Sequence, residues 1–193
     1  MFYYPSKDLG SRLEIPLAKW KRWVREFLPP DPLGGLQSGF ARQFNLKDAF
    51  RVYLGGCLVG ILKFTIPESR VILDDLEDWL QEHGFYRLQA NSLPVPRPGA
   101  DLYTIHVYPG VFPRQEKTFG YTIGTLREAG AGQTDSAPGV SGIYSLETLN
   151  AGPDPILGGK VATARTLCVS TLHERFLARL NVLKPTRGQR VSS

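Results

Sequence analysis

The side chains of this sequence best suited to chemistry form one dense group. Lys19, Lys21, Arg22 and Arg25 are set around Trp20 and Trp23 between Leu17 and Phe27. Ammonium and guanidinium groups at this density attract polyanions, and guanidinium forks match phosphate oxygens or the O6 and N7 acceptors of guanine. Arg42, Lys47 and Arg51 carry the cationic character further along the chain. Catalytic chemistry is thin by comparison. His83, His106 and His173 fall in three separate segments with no neighbouring acid or cysteine pattern. The glycines around 130–132 and at Gly158-Gly159 lack the spacing of a phosphate-binding loop. Ser141-Gly142 and Gly158-Gly159-Lys160 stand in no nucleophile or nucleotide-binding context. The sequence does not read as an enzyme, and no catalytic residue or cofactor is expected. Cys57 and Cys168 lie far apart in apolar surroundings, which excludes a disulfide framework and gives no metal-ligand spacing.

The elements that must position these cations follow from periodicity. Ser6 to Leu13 reads as a first helix, with Leu9 and Leu13 on one face. Glu14-Ile15-Pro16 makes a corner, because proline ends one helix and suits the first turn of the next. The second helix runs from Leu17 to Phe27 and buries Leu17, Trp20, Val24, Phe27 and Leu28. Lys19, Lys21, Arg22 and Arg25 occupy its other faces. Trp23 either packs inside or lies along a sugar-phosphate backbone. Pro29-Pro30 stops this helix, and Gly39 with Phe40 to Phe44 fits one side of a β-hairpin. Asn45 caps a third helix that is expected to end or bend at Gly55-Gly56. Lys63 to Ile66 reads as a short strand. A further helix follows from Pro67 to Leu80, with Val71, Ile72, Leu76, Trp79 and Leu80 inward and Asp74, Asp75, Glu77 and Asp78 outward; Gly84 terminates it.

Beyond the proline-rich stretch Asn91–Ala100 the pattern changes to strand-like alternation. It covers Leu102–Tyr108, Phe119–Leu126, Val140–Leu149 and Val161–Thr171, and an amphipathic helix is expected over Leu172–Leu183. The net charge of +5 is unevenly spread. Residues 1–53 hold nine Lys/Arg against five Asp/Glu, whereas residues 54–90 hold three against six. A basic front and an acidic back suit a protein that turns one side to an anionic partner. No apolar run reaches the ~20 residues needed to span a bilayer. Met1-Phe2-Tyr3-Tyr4-Pro5 lacks the basic-then-apolar pattern of a signal peptide, so no membrane partner and a cytoplasmic location are expected.

The segment Ser6–Arg51 resembles the DNA-binding domain of the MerR family and its excisionase-like relatives. Ile15-Pro16 stands at the corner. Lys21, Arg22, Trp23 and Arg25 stand where that family carries an Arg-Tyr-Tyr-x-Arg run. Ser38-Gly39-Phe40 with Arg42 and Phe44-Asn45 matches its wing and the start of the next helix. Thr65-Ile66-Pro67 to Trp79-Leu80 is similar to the strand-then-helix ending of the excisionase-like domains. The resemblance covers less than half of the chain. It includes neither the long C-terminal heptad helix of MerR regulators nor their effector cysteines.

The expected architecture is α+β: an N-terminal winged helix-turn-helix over residues 1–85, a proline-rich linker over 86–100, a β-rich domain over 101–183 and a basic disordered tail over 184–193. The expected partner is double-stranded DNA. Lys19, Lys21, Arg22, Trp23 and Arg25 would lie in the major groove, Arg42 would sit on the flanking minor groove, and Lys47 and Arg51 would meet the backbone. A homodimer is expected because one such module buries little surface. The acidic helix Pro67–Gln81 or the segment Val161–Leu183 could supply that contact, and the C-terminal domain could dimerise or bind an effector or protein partner. The alternatives are a phage- or plasmid-type accessory factor that bends DNA and a protein-interaction adaptor.

Overall fold

The computed structural model describes residues 3–31, 42–86, 101–109, 119–128, 142–149 and 163–180. It is a mixed α+β protein with its helices mainly N-terminal and its main sheet C-terminal. The chain forms two compact units. One gathers the described residues of Met1–Cys57, Ile66–Val95 and His173–Ser193; the other gathers those of Leu58–Thr65 and Pro96–Leu172. The stretch expected as a separate domain over 101–183 is therefore divided at His173. The proline-rich segment, the glycine-rich loops around 130–139 and 151–159, the hairpin residues 38–40 and the basic tail lie outside the described residues.

In the helical unit, β1 (Tyr4–Pro5) leads directly into α1 (Ser6–Arg12), and α2 spans Leu17–Phe27. The corner between the helices is closed by main-chain bonds. The Glu14 N–H donates to the Ser11 carbonyl at 3.2 Å and the Ile15 N–H donates to the Gly10 carbonyl at 2.8 Å. This paired pattern needs a left-handed residue at its turn, and Glu14 supplies it with φ 57°. Gly10 is closely packed there, since a Cβ would stand 3.1 Å from the Ile15 carbonyl oxygen.

The buried face of α2 carries Trp20, Trp23, Val24 and Phe27. Leu17, expected in this stripe, is 40% exposed because it occupies the first turn, beyond the edge of the core. β2 (Gln43–Phe44) pairs antiparallel with β1, Tyr4 opposite Phe44 and Pro5 opposite Gln43.

α3 (Leu46–Gly60) begins as its sequence requires, with the Asp48 N–H donating to Asn45 Oδ1 at 2.7 Å. It does not end at Gly55-Gly56 but runs on to Gly60. Those glycines are seats for aromatic rings: a Cβ on Gly55 would lie 2.6 Å from the Phe27 ring, and one on Gly56 would lie 2.2 Å from the Trp23 ring. Close helix packing overrides the low helix propensity of glycine at both positions. Lys63–Thr65 is irregular rather than a strand. Lys63 is left-handed (φ 59°), and Ile66 already starts α4 (Ile66–Asp75). The acidic segment expected as one helix breaks at Leu76 into α4 and α5 (Glu77–Glu82), and Gly84 follows with φ 83°. Ile72, Leu73, Leu76, Trp79 and Leu80 are buried, whereas Val71 faces outward. The second half of α6 (Val169–Arg179) belongs to this unit, with Phe176 against Phe50 and Tyr53.

The other unit is built on an antiparallel sheet of β3 (Leu102–Pro109), β4 (Phe119–Glu128), β5 (Gly142–Thr148) and β6 (Arg165–Cys168), in the order β5-β4-β3-β6. Register and burial agree on its inner face: Ile105, Val107, Tyr121, Ile123 and Leu167 are all buried on one side. Phe64 meets Phe119 edge-on, with ring centroids 5.8 Å apart, and the Arg165 guanidinium lies 4.3 Å above the Phe64 ring. Of Val161–Thr171, expected as a single strand, the described residues form one over Arg165–Cys168 alone. The chain turns helical at Val169, and the Ser170 hydroxyl accepts a bond from the Tyr103 N–H at 2.9 Å.

Candidate nucleic-acid interface

Lys19, Lys21, Arg22 and Arg25 all project from α2 into solvent, and among the described residues none of them has an ion pair. Lys21, Arg22 and Arg25 share one face by their spacing. Lys19 stands on the flank, its Nζ 4.8 Å from the centroid of the Trp23 ring. Trp23 is only 7% exposed. Of its two sequence-level roles it therefore fills the packing one, lying on the bare backbone of α3 at Gly56. Trp20 is fully buried and meets Phe44 edge-on at 6.0 Å. The helix is thus held by two indoles on one side and carries uncompensated positive charge on the other.

The other cations expected to touch a partner are engaged internally. Three arginines from three parts of the chain converge on the C-terminal end of α2. Arg70 Nε donates to the Glu26 carbonyl at 3.0 Å, Arg51 Nε to the Phe27 carbonyl at 3.0 Å, and Arg42 Nη1 to the Pro29 carbonyl at 2.9 Å. Helix C-termini leave carbonyls without intrahelical partners and carry partial negative charge, so cationic donors are stabilising there. Arg42 also lies over the Phe44 ring at 5.5 Å.

Arg51 goes further. Its side chain is 11% exposed, and its guanidinium also pairs with Glu77 at 2.8 Å, with Asp74, and with the Leu73 carbonyl at 3.4 Å. Lys47 bonds the other oxygen of Glu77 at 2.9 Å and stands 5.2 Å above the Tyr86 ring. Burial works to raise the Glu77 pKa, but bonds from Lys47 and Arg51 outweigh it and hold the carboxyl below its ordinary value. Lys47 and Arg51 therefore clamp α3 to α4 and α5 across an open cleft of about 520 Å³, and all three nitrogens of the Arg51 guanidinium are engaged within the protein.

Several further positioning residues carry no local signal in the sequence. Arg12 Nη1 donates to the Leu180 carbonyl at 2.8 Å. Arg179 Nη1 donates to the Leu13 carbonyl at 2.8 Å, and its Nη2 pairs with Glu14 at 2.8 Å. These bonds hold the α1–α2 corner with residues more than 160 positions away. Arg70 pairs with Glu26 at 3.1 Å as well as capping α2. No helix among the described residues is long and apolar enough to cross a membrane. No protein-family model matches the chain, and no curated protein matches it either.

Proposed function

We propose that the helical unit is a winged helix-turn-helix that binds double-stranded DNA, and that the protein is a sequence-specific transcriptional regulator. The observation that carries this reading is the face of α2, where four exposed and unpaired cations stand on a helix whose opposite side is immobilised by Trp20 and Trp23. A helix of this diameter suits a major groove about 12 Å wide. In this reading Arg22 and Arg25 reach guanine edges or phosphates, and Lys19 and Lys21 neutralise flanking phosphates. Leu17 and Ala18, both exposed in the first turn, are placed to meet thymine methyl groups. Arg42, Lys47 and Arg51 act as positioning residues that set the angle of α2, and Trp23 anchors it.

Substitution on α2 separates direct binding from positioning. Arg22→Ala and Arg25→Ala should weaken duplex binding with an unchanged unfolding midpoint. Wherever the replaced guanidinium neutralises a phosphate, the dependence of log K on log salt should flatten by about one unit. Unchanged affinity in a gel-shift titration of both variants refutes the assignment of α2.

A further inference from the structure

A second surface, independent of the DNA reading, lies at the open edge of the sheet. Beyond Thr148 the ladder between β4 and β5 continues with the Leu149 N–H donating to the Tyr121 carbonyl at 3.2 Å. This bond sets the phase of the ladder. Ile143, Ser145 and Glu147 direct their backbone polar groups toward β4, while Tyr144 and Leu146 direct theirs outward. Among the described residues no strand lies beyond β5. The strand spans Gly142–Thr148 with no proline and a single charge, Glu147, so little in its own sequence blunts the sheet edge. Its large side chains are open as well: Ile143 is 65% exposed, Tyr144 56% and Leu146 53%.

We propose that β5 is a homotypic interface, in which two copies of this chain join their β5 strands antiparallel about a two-fold axis at Ser145. A row of outward N–H and C=O groups is satisfied best by another strand. β5 fits itself in phase, because the full-length pairing sets Tyr144 opposite Leu146 of the second copy, and both residues offer outward backbone groups. Ser145 then faces Ser145 of the second copy as a non-hydrogen-bonded pair. On one face, register aligns Leu102, Leu126 and Tyr144 across β3, β4 and β5, and Leu146 of the second copy extends that apolar row. On the other face, Glu147 meets the neutral Ile143 of the second copy, with that copy's Arg127 one strand further in. The two Glu147 carboxylates stay about 13 Å apart along the strands, so no like charges meet. One pair of short strands makes a smaller junction than the roughly 800 Å² per partner of a standard interface, so the dimer is expected to be weak and concentration-dependent.

Sedimentation velocity of the full chain between about 1 and 100 µM tests the proposal. The mass should rise from 21.5 kDa toward twice that value. Leu146→Pro removes an outward N–H without touching the β4 ladder, and it should weaken dimerisation at least tenfold while the circular dichroism spectrum is kept. The Ser145 Cα atoms of the two copies would be about 4.5 Å apart, within disulfide range, so Ser145→Cys should cross-link under mild oxidation far faster than Glu147→Cys or the unmodified chain. This cross-link reports the register whether or not the proline variant folds. A monomer at every concentration, a dimer indifferent to Leu146→Pro, or equal cross-linking of the two cysteine variants overturns the proposal. So does a β5 edge that stays monomeric on its own and pairs only with a strand of a different protein.

Discussion

Replacing Gly56 with alanine should destabilise the helical unit even though alanine is the better helix former. The added Cβ would stand 2.2, 2.5 and 2.6 Å from Cζ3, Cε3 and Cη2 of Trp23. Carbon atoms in contact rest near 3.5–4.0 Å, so the indole must retreat by more than about 1 Å. That retreat is resisted, since the ring is 7% exposed and its Cα belongs to a helix fixed by Trp20 and by the three arginine caps. Overpacking of this kind costs ~1–3 kcal/mol, and contact with three ring atoms puts it at the upper end. The gain in helix propensity returns ~1 kcal/mol, leaving a net loss of ~2 kcal/mol. In urea, with a slope of about 1–3 kcal/mol/M, the midpoint should fall by about 1 M. Gly60→Ala is the control, because nothing lies within 4 Å of its added Cβ and it should be neutral or stabilising. Trp23→Leu in the Gly56→Ala background should recover part of the loss by relieving the clash. A Gly56→Ala variant as stable as the parent would refute the view that the ring sits rigidly on the α3 backbone.

Arg51→Met should lower stability by about 1–3 kcal/mol in urea unfolding, less than a fully buried pair because Asp74 and Glu77 remain partly solvated. Lys47→Met should lose less than about 1 kcal/mol, since both partners of that pair are more than a third exposed. His173 is buried between Phe50 and Phe85, and desolvation pushes its pKa down to about 4. The unfolded chain therefore binds one more proton between about pH 4 and pH 6.5, and the folded state loses on the order of 3 kcal/mol as pH falls through that window. Unfolding midpoints of His173→Phe should lack this slope, and a parallel pH profile in the parent and the variant refutes the assignment. Glu14→Gly should raise Tm by relieving a left-handed residue, a gain of about 0.5 kcal/mol after the exposed Arg179 pair is removed; calorimetry giving a lower Tm contradicts it.

Local signals reached the helices and strands that local forces decide. Leu9 and Leu13, the Trp20, Val24 and Phe27 spacing, and the prolines at 16 and 29–30 mark α2 with the bounds observed and α1 to within one residue. Alternation marks β3, β4 and β5. Two of the misreadings come from tertiary contact overriding local preference. Gly55-Gly56 looks like a breaker until the rings of Phe27 and Trp23 are placed on it. Lys63–Ile66 has strand-forming residues, yet Pro67 with its fixed φ suits the first turn of α4. Lys47 and Arg51 look like an exposed i, i+4 pair because their partners, Glu77 and Asp74, lie more than 20 residues further on. The cations of α2 were legible as a group. What periodicity could not supply was which of the chain's arginines stay in water and which become struts.

The arginine-capped end of α2 has a mechanical consequence. Its last two carbonyls are gripped by side chains from α4 and α3, and Arg42 holds the Pro29 carbonyl just beyond, so a pull on its cationic face spreads into three anchor points at once. Fraying of the last turn, the usual weak place of a short helix, is suppressed. On the proposed DNA-binding reading, the rod would meet a duplex already stiff, with little freedom left to surrender on contact.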